Sequence, residues 1–466
     1  MSDTTAGTTV VAVLDTPPPS GESLRALVQH ASWLEVRIDA DPAWLRARFA
    51  GSLLYARGGG AERLIAAARD YDFVSLAPED CTPRVLAAIP PSQRVISASC
   101  KEAEDALAIP ARLYRLTVAA HRSGDELEPL RLLRKLARPD VTAYATGPIG
   151  TWSRVLAPWL GAPFVFEHAE AVERLVTGSC FADLPPIDEL FGMVGCPVLH
   201  SYSPRIHNNA FRAQRRSALY VPFHVENFDD FRANILESGA IESLGFSLNA
   251  LSIVSPYKAV ALDAARAHSP MVSQAGSTNF FRRDGAGGWI ADTTDADGIL
   301  LTLRDRGEHC HNKRVAVIGC GGSGRAMATA LHHAGAHVTL VNRGVERGVF
   351  ARDLLGLPFV PLSEFSAGGF SIVVNATPVG RDRDEIVFPV DHLRRDAVIV
   401  DLVYRDGPTP LITRTRGPGR ITIDGWDMLV TQAMRQYRLM TGAEMPERLV
   451  RQALGFDEPA AVAGDE

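Results

Sequence analysis

Short apolar runs alternate with amphipathic stretches from Val10 to about Pro185: VVAVLD, WLEVRID, LLYAR, FVSLA, RVISAS, LYRLTV, TAYATG and FVFE. Each run has strand length and each intervening stretch has helical spacing, so the pattern predicts a parallel sheet with helical crossovers. Eight such runs suit a (β/α)8 barrel, trimmed, since about 180 residues falls short of the usual 200 or more. The proline pair in DLPPID, Asp183 to Asp188, interrupts the pattern and marks a domain boundary. Beyond it FGMVGCPV and ALYVPFHV read as strands with a helix around HNNAFRAQ between them. Near Lys313 the run RVAVIG passes through a glycine cluster into SGRAMATALHHAGA, a strand, a tight turn and a helix. PERLVRQALG reads as a closing helix and AAVAGDE as a frayed end.

A chain of 466 residues exceeds what one hydrophobic core supports, so two or three domains are expected. The balance of 46% hydrophobic and 22% charged residues is that of a globular protein. A net charge of -6 supplies no basic field for a phosphate backbone, which argues against nucleic acid and favours a small-molecule substrate. Neither a secretory signal nor an apolar run long enough to span a membrane is visible. Cys81, Cys100, Cys180, Cys196, Cys310 and Cys320 lack C-x-x-C or Cys/His spacing, which disfavours a disulfide framework and a zinc site. A cytoplasmic protein without a metal is expected, its oligomeric state open.

Gly319-Cys320-Gly321-Gly322-Ser323-Gly324 satisfies G-x-G-x-x-G immediately after a strand and at the opening of a helix. Glycines serve there because the turn is tight and a pyrophosphate must approach the helix N-terminus unhindered by a Cβ. The next strand, HVTLVNR, ends at Asn342 and Arg343, where NAD enzymes carry an acid for the ribose 2'-hydroxyl. Arg343 and Arg347 instead offer guanidinium groups suited to a 2'-phosphate, so NADP is the expected cofactor.

The run GCPVLHSYSPRIHNNAF resembles the substrate-binding opening of shikimate dehydrogenases. Further motifs follow in that family's order: SPYK ending at Lys258, STN at Asn279, TTDADG around Asp295, the glycine turn, NATPVG, DLVY at Tyr404 and GWDMLVTQ at Gln432. The resemblance covers Leu190 to about Gly442. By chemistry alone the set suits a polyhydroxylated carboxylic acid, since Ser201 and Ser203 can donate to a carboxylate and Asn279 and Gln432 can serve ring hydroxyls. The resemblance implies that Lys258 hydrogen-bonds the reacting oxygen while Asp295 orients it and helps move the proton, with Tyr404 also on the substrate. It places Gly319, Gly321, Gly322, Ser323, Gly324, Asn342, Arg343, Arg347, Asn375 and Thr377 on the cofactor. Ser252, Val254, Phe280 and Thr293 depart from the family pattern, so quinate or an aminoshikimate stays open as substrate.

The barrel half resembles type I 3-dehydroquinate dehydratase: Glu35, Arg37 and Asp39 fit its E-x-R-x-D strand, Arg57 its next strand and Arg154 a substrate-binding arginine. That family's chemistry needs a Schiff-base lysine and a histidine. Alignment puts Arg115 at the lysine and Ser99 at the histidine, with Ala77 at an acid and Gly178-Ser179 at a glycine-glutamine lid. Lys101 and Lys135 fall off the catalytic strand, so these residues read as a vestigial site. The organisation expected is α/β throughout: a (β/α)8-barrel-like domain over residues 1–184, a shikimate-dehydrogenase substrate domain over 185–300 completed by helices within 425–455, and a Rossmann NADP-binding domain over 301–424. Alternatives are a bifunctional dehydratase/dehydrogenase and a non-catalytic sensor of shikimate-type ligands.

Overall fold

All eight apolar runs form strands: β1 (Thr9–Leu14), β2 (Trp33–Val36), β3 (Ser52–Tyr55), β4 (Phe73–Leu76), β5 (Arg94–Ser99), β6 (Leu113–Ala119), β7 (Val141–Thr146) and β8 (Phe164–His168). The structure is a computed structural model describing residues 9–14, 24, 31–36, 41–55, 60–168 and 186–456. Every neighbouring pair is parallel, in the order β7-β6-β5-β4-β3-β2-β1-β8. The two end strands meet through one side chain, since Thr142 Oγ1 on β7 accepts from Phe164 N of β8 at 3.2 Å and lies 3.1 Å from Phe164 O. A threonine hydroxyl thus stands in for a ladder hydrogen bond and nearly closes the barrel.

Alternate residues of a strand share a face, so the barrel fills in layers. One is aromatic, with Trp33 stacked on Phe73 at 3.9 Å and edge-on to Phe164 at 4.7 Å. Two residues further along those strands and their neighbours stand Glu35, Ser75, Ser97, Arg115, Tyr144 and Phe166, a polar layer.

β9 (Glu189–Gly195) and β10 (Ala218–His224) pair in parallel, and the helix Ser203–Ala213 between them is clamped to β10 by Asn208. Its Nδ2 donates to Tyr220 O at 2.9 Å and its Oδ1 accepts from Tyr220 N at 2.8 Å. This pair packs with the barrel: Trp152 lies 5.2 Å from Phe223, and Asn234 Nδ2 donates to Ser123 O at 2.9 Å. The chain accordingly divides into two compact units between Leu248 and Asn249. The proline pair, part of which lies outside the described residues, falls within the first of these units.

The second unit takes in most of β11 (Ser247–Ile253), which runs antiparallel to β13 (Phe280–Arg283); β13 pairs with β14 (Trp289–Asp292), itself flanked by β12 (Ala267–His268). The remaining strands, β15 (Arg314–Ile318), β16 (His337–Asn342), β17 (Phe359–Pro361), β18 (Ile372–Asn375), β19 (Val398–Asp401) and β20 (Thr422–Ile423), form an all-parallel sheet ordered β17-β16-β15-β18-β19-β20. Numbered within that sheet this is 3-2-1-4-5-6, the doubly wound dinucleotide-binding order. The closing helix is Glu447–Leu454, and AAVAGDE lies outside the described residues.

Candidate active site

Asp295 opens the helix Asp295–Asp305, whose N-terminal amides present partial positive charge to its carboxylate. The side chain is 3% exposed, and donors from separate segments converge on it. Lys258 Nζ donates to Oδ2 at 2.6 Å, Asn279 Nδ2 donates to Oδ1 at 2.9 Å, and Gln432 Nε2 donates to the same Oδ1. Four residues spread over 175 positions of sequence therefore meet at one carboxylate. Lys258 follows β11, and its carbonyl accepts from Thr278 N at 2.7 Å, tying the lysine segment to the stretch that carries Asn279 into β13. The ammonium donates a second bond, to Ser323 Oγ at 2.8 Å.

The glycine turn connects β15 to the helix Gly322–His333, and its three fingerprint positions differ in what they require. Gly319 sits at φ 107°, a left-handed conformation, with Ala376 O 2.9 Å from where a Cβ would stand. At Gly324 a Cβ would fall 1.8 Å from Gly319 O, so only glycine lets the helix close on the turn. Gly321 instead faces open space. Such a cleared approach to exposed amides at a helix N-terminus fits a pyrophosphate. Asn342 braces the turn, accepting from Cys320 N at 3.0 Å through Oδ1 and donating to Gly344 O at 2.8 Å. Arg343 and Arg347 are exposed and make no hydrogen bond or ion pair among the described residues. Asn375 is 1% exposed and committed to its own turn, donating to Asp401 Oδ1 and accepting from Thr377 N and Oγ1. Burial raises the pKa of Asp401, against which the Thr409 and Asn375 bonds act.

Tyr404 is half-buried beside Trp426, with ring centroids 5.1 Å apart. In the first unit Ser201 Oγ accepts from Ser203 N at 3.2 Å and lies 3.3 Å from Ser203 Oγ, so the two hydroxyls form one polar pair at the start of a helix. Among the sequence departures, Phe280 is fully buried core and Ser252 Oγ donates to Gln436 Oε1 at 2.9 Å. Gln436 Nε2 in turn donates to Thr294 Oγ1 at 3.2 Å, and Thr294 N donates to Asn279 Oδ1 at 2.7 Å. Sequence motifs did not single out Thr294 and Gln436. Gln436 lies one turn beyond Gln432 on the same helix face, which was the available signal.

The barrel's polar layer centres on Arg115. Its Nη1 donates to Glu35 Oε2 at 2.6 Å, Nε to Ser97 Oγ at 3.0 Å and Nη2 to Ser75 Oγ at 3.4 Å, while the guanidinium carbon lies 4.7 Å from the Phe166 ring centroid. Burial works against its charge, but Glu35 and Tyr144 outweigh it and raise the Arg115 pKa. Ser99 is a cap: its Oγ accepts from Lys101 N at 3.2 Å, and its N donates to Glu102 Oε2 at 3.0 Å. Lys101 and Lys135 are exposed, on the turn after β5 and on the helix Leu127–Leu136. Arg154 places its guanidinium 5.1 Å from the Tyr144 ring, whereas Arg37, Asp39, Arg57, Gly178 and Ser179 lie outside the described residues.

Among the described residues no cluster of His, Cys, Asp and Glu could hold a metal ion. No described helix is long and apolar enough to cross a membrane.

A doubly wound dinucleotide sheet with a lysine–carboxylate pair beside its glycine turn defines the class, an α/β protein of dehydrogenase architecture joined to a parallel barrel. Family models match for the shikimate dehydrogenase substrate binding domain over residues 193–281, the shikimate 5'-dehydrogenase C-terminal domain over 425–454 and type I 3-dehydroquinase over 91–179. A shikimate dehydrogenase (NADP(+)) of Halorubrum lacusprofundi is 33% identical over 276 residues, 57% of this chain and 98% of that protein. The chain belongs to the shikimate dehydrogenase family. The crystal structure of shikimate 5-dehydrogenase from Thermus thermophilus in complex with NADP(H) and shikimate matches at 27% identity with a TM-score of 0.50, over 57% of this chain and 97% of that one. The chloroplastic bifunctional 3-dehydroquinate dehydratase/shikimate dehydrogenase of Arabidopsis thaliana is 27% identical over 74% of this chain and 60% of that protein.

Proposed function

We propose that this chain is an NADP-dependent shikimate dehydrogenase, interconverting shikimate and 3-dehydroshikimate. The observation that carries it is the convergence of Lys258, Asn279 and Gln432 on the buried Asp295 carboxylate beside a dinucleotide turn. In the oxidising direction NADP, when held at the glycine turn, would supply the acceptor for the hydride that leaves the ring carbon. Lys258 Nζ takes the hydroxyl proton as the hydride leaves, passing one of its own protons to Asp295 Oδ2 for release to solvent, and in the reducing direction the reverse transfer protonates the oxygen as alkoxide character develops on it. Gln432 has its amide nitrogen on Asp295 and its Oε1 to direct at a ring hydroxyl, while Asn279, bonded to Asp295 and Thr294 through both ends of its amide, offers a ring hydroxyl the second lone pair of Oδ1. Ser201 and Ser203 bind the substrate carboxylate, Tyr404 flanks the ring, and Arg343 and Arg347 take the 2'-phosphate while the glycine turn, Asn342, Asn375 and Thr377 form the rest of the cofactor site.

The functional division proposed is 1–184, 185–300 with helices of 425–455, and 301–424, in a cytoplasmic protein; the described cysteines are all free, which suits a reducing compartment. The barrel is proposed to lack dehydratase activity, because the place of the imine-forming amine is taken by a guanidinium already paired with Glu35. Steady-state assays of the full chain with shikimate and quinate, each with NADP and NAD, test the reading. Shikimate with NADP should give the highest kcat/KM; a preference for quinate or for NAD would overturn the assignment, and dehydroquinate dehydration would restore the bifunctional alternative.

A further inference from the structure

The glycine turn does more than clear a path for phosphates. At Gly322 a Cβ would stand 2.8 Å from Lys258 Cβ, 3.2 Å from Lys258 Cδ and 3.3 Å from Ser277 Cβ, so the lysine stem lies directly on the turn. Ser277 Oγ donates to Gly322 O at 2.9 Å, and Arg325 on the following turn donates to Ala275 O and Gly276 O, both at 2.8 Å. The turn is therefore fastened along its length to the segment that leads into Asn279. At its centre Ser323 Oγ accepts from Lys258 Nζ at 2.8 Å.

We propose that Ser323 is a positioning residue for Lys258, holding one ammonium N–H so that, with Asp295 on a second, the third is aimed at the reacting oxygen. An ammonium has three donors and free rotation about its stem, so two fixed acceptors define the direction of the last. The arrangement also answers an electrostatic cost: Lys258 sits at the N-terminal end of the helix Gly322–His333, where the dipole disfavours a cation, and the Ser323 oxygen and Asp295 carboxylate offset it. The inference rests on the dehydrogenase reading for its kinetic consequence and on geometry alone for the contact.

Two variants, Ser323→Ala and Ser323→Thr, test it in the full chain. Removing the acceptor should lower kcat roughly three- to tenfold, the worth of one ordinary hydrogen bond, a larger factor than any rise in the KM for NADP from the altered turn; threonine should restore most of the turnover. A readout free of catalysis accompanies the kinetics. Lys101, Lys135, Lys258 and Lys313 are the chain's lysines, so trace labelling with acetic anhydride and peptide mass spectrometry reads each amine separately. Lys258 should become severalfold more reactive in Ser323→Ala but not in Ser323→Thr, with the other three as internal standards of folding. Unchanged Lys258 reactivity, or a raised KM for NADP at unchanged kcat, would overturn the proposal. A wild-type chain that leaves shikimate unoxidised would sink the function reading instead, and the labelling pattern would still decide the contact.

Discussion

Replacing Arg115 with alanine asks how far the barrel interior depends on one ion pair. Glu35 is fully buried and the Arg115 side chain is 9% exposed, so truncation leaves a carboxylate in a closed interior without its guanidinium partner. Losing one partner of a buried pair costs about 3 to 5 kcal/mol, more than the pair itself contributes over an apolar replacement. The first unit spans Met1–Leu248, a size at which each kcal/mol moves the midpoint by about 2 to 4 °C, so its melting transition should fall by roughly 6 to 20 °C. Differential scanning calorimetry of the full chain measures this. Arg115→Ala combined with Glu35→Gln should recover much of the loss, because a neutral amide tolerates burial better than a carboxylate that has lost its guanidinium. An unchanged melting profile in the single variant, or a double variant at least as unstable, would refute the claim that this pair replaced a chemical site with a structural one.

Arg343→Ala should raise the KM for NADP roughly ten- to a hundredfold while leaving that for NAD nearly unchanged, as removal of a charged hydrogen bond worth about 1.5 to 3 kcal/mol demands; an equal effect on both cofactors would remove Arg343 from the 2'-phosphate. Borohydride added with dehydroquinate should leave no covalent adduct on residues 1–184 by mass spectrometry, since reduction traps an imine and Lys101 and Lys135 are exposed away from the polar layer. An adduct on Lys101 would reverse that conclusion. His207 is completely buried, and desolvation pulls its pKa from 6.5 down to about 3. Above 6.5 both folded and unfolded imidazoles are neutral; as pH falls from 6.5 towards 3 only the unfolded state gains the proton, so stability is lost across that window. By pH 5 the loss is about 2 kcal/mol, and thermal melts of His207→Phe should show a correspondingly shallower decline between pH 7.5 and 5 than wild type.

The barrel strands were legible because each carries its own apolar run, a local property that alternation exposes. Their closure was not, since it turns on Thr142, a residue with no local signal, reaching a strand 22 positions away. The same contrast governs the second unit. Gly319 and Gly324 announce a strand, turn and helix because the turn's backbone geometry excludes other residues there, and Gly321 leaves the approach to the turn open. Nothing local says that Ser323 within that turn meets Lys258, 65 positions earlier. Motif order identified Lys258, Asp295, Asn279 and Gln432, but which atom bonds which is a property of the fold. Asn342 and Asn375, read as cofactor residues, spend their side chains bracing turns as well. The compact division between Leu248 and Asn249 was also invisible in sequence, because packing such as Trp152 on Phe223 ignores composition breaks.

The central claim is that Lys258 acts on charge that develops in the transition state. Its most direct test is the turnover of Lys258→Ala with shikimate at saturating NADP, measured as NADPH formation beside wild type. Loss of the group that stabilises the alkoxide should lower kcat by about a hundredfold or more while the dissociation constant for NADP, read by fluorescence, stays near the wild-type value. A variant that turns over shikimate at the wild-type rate would contradict the account.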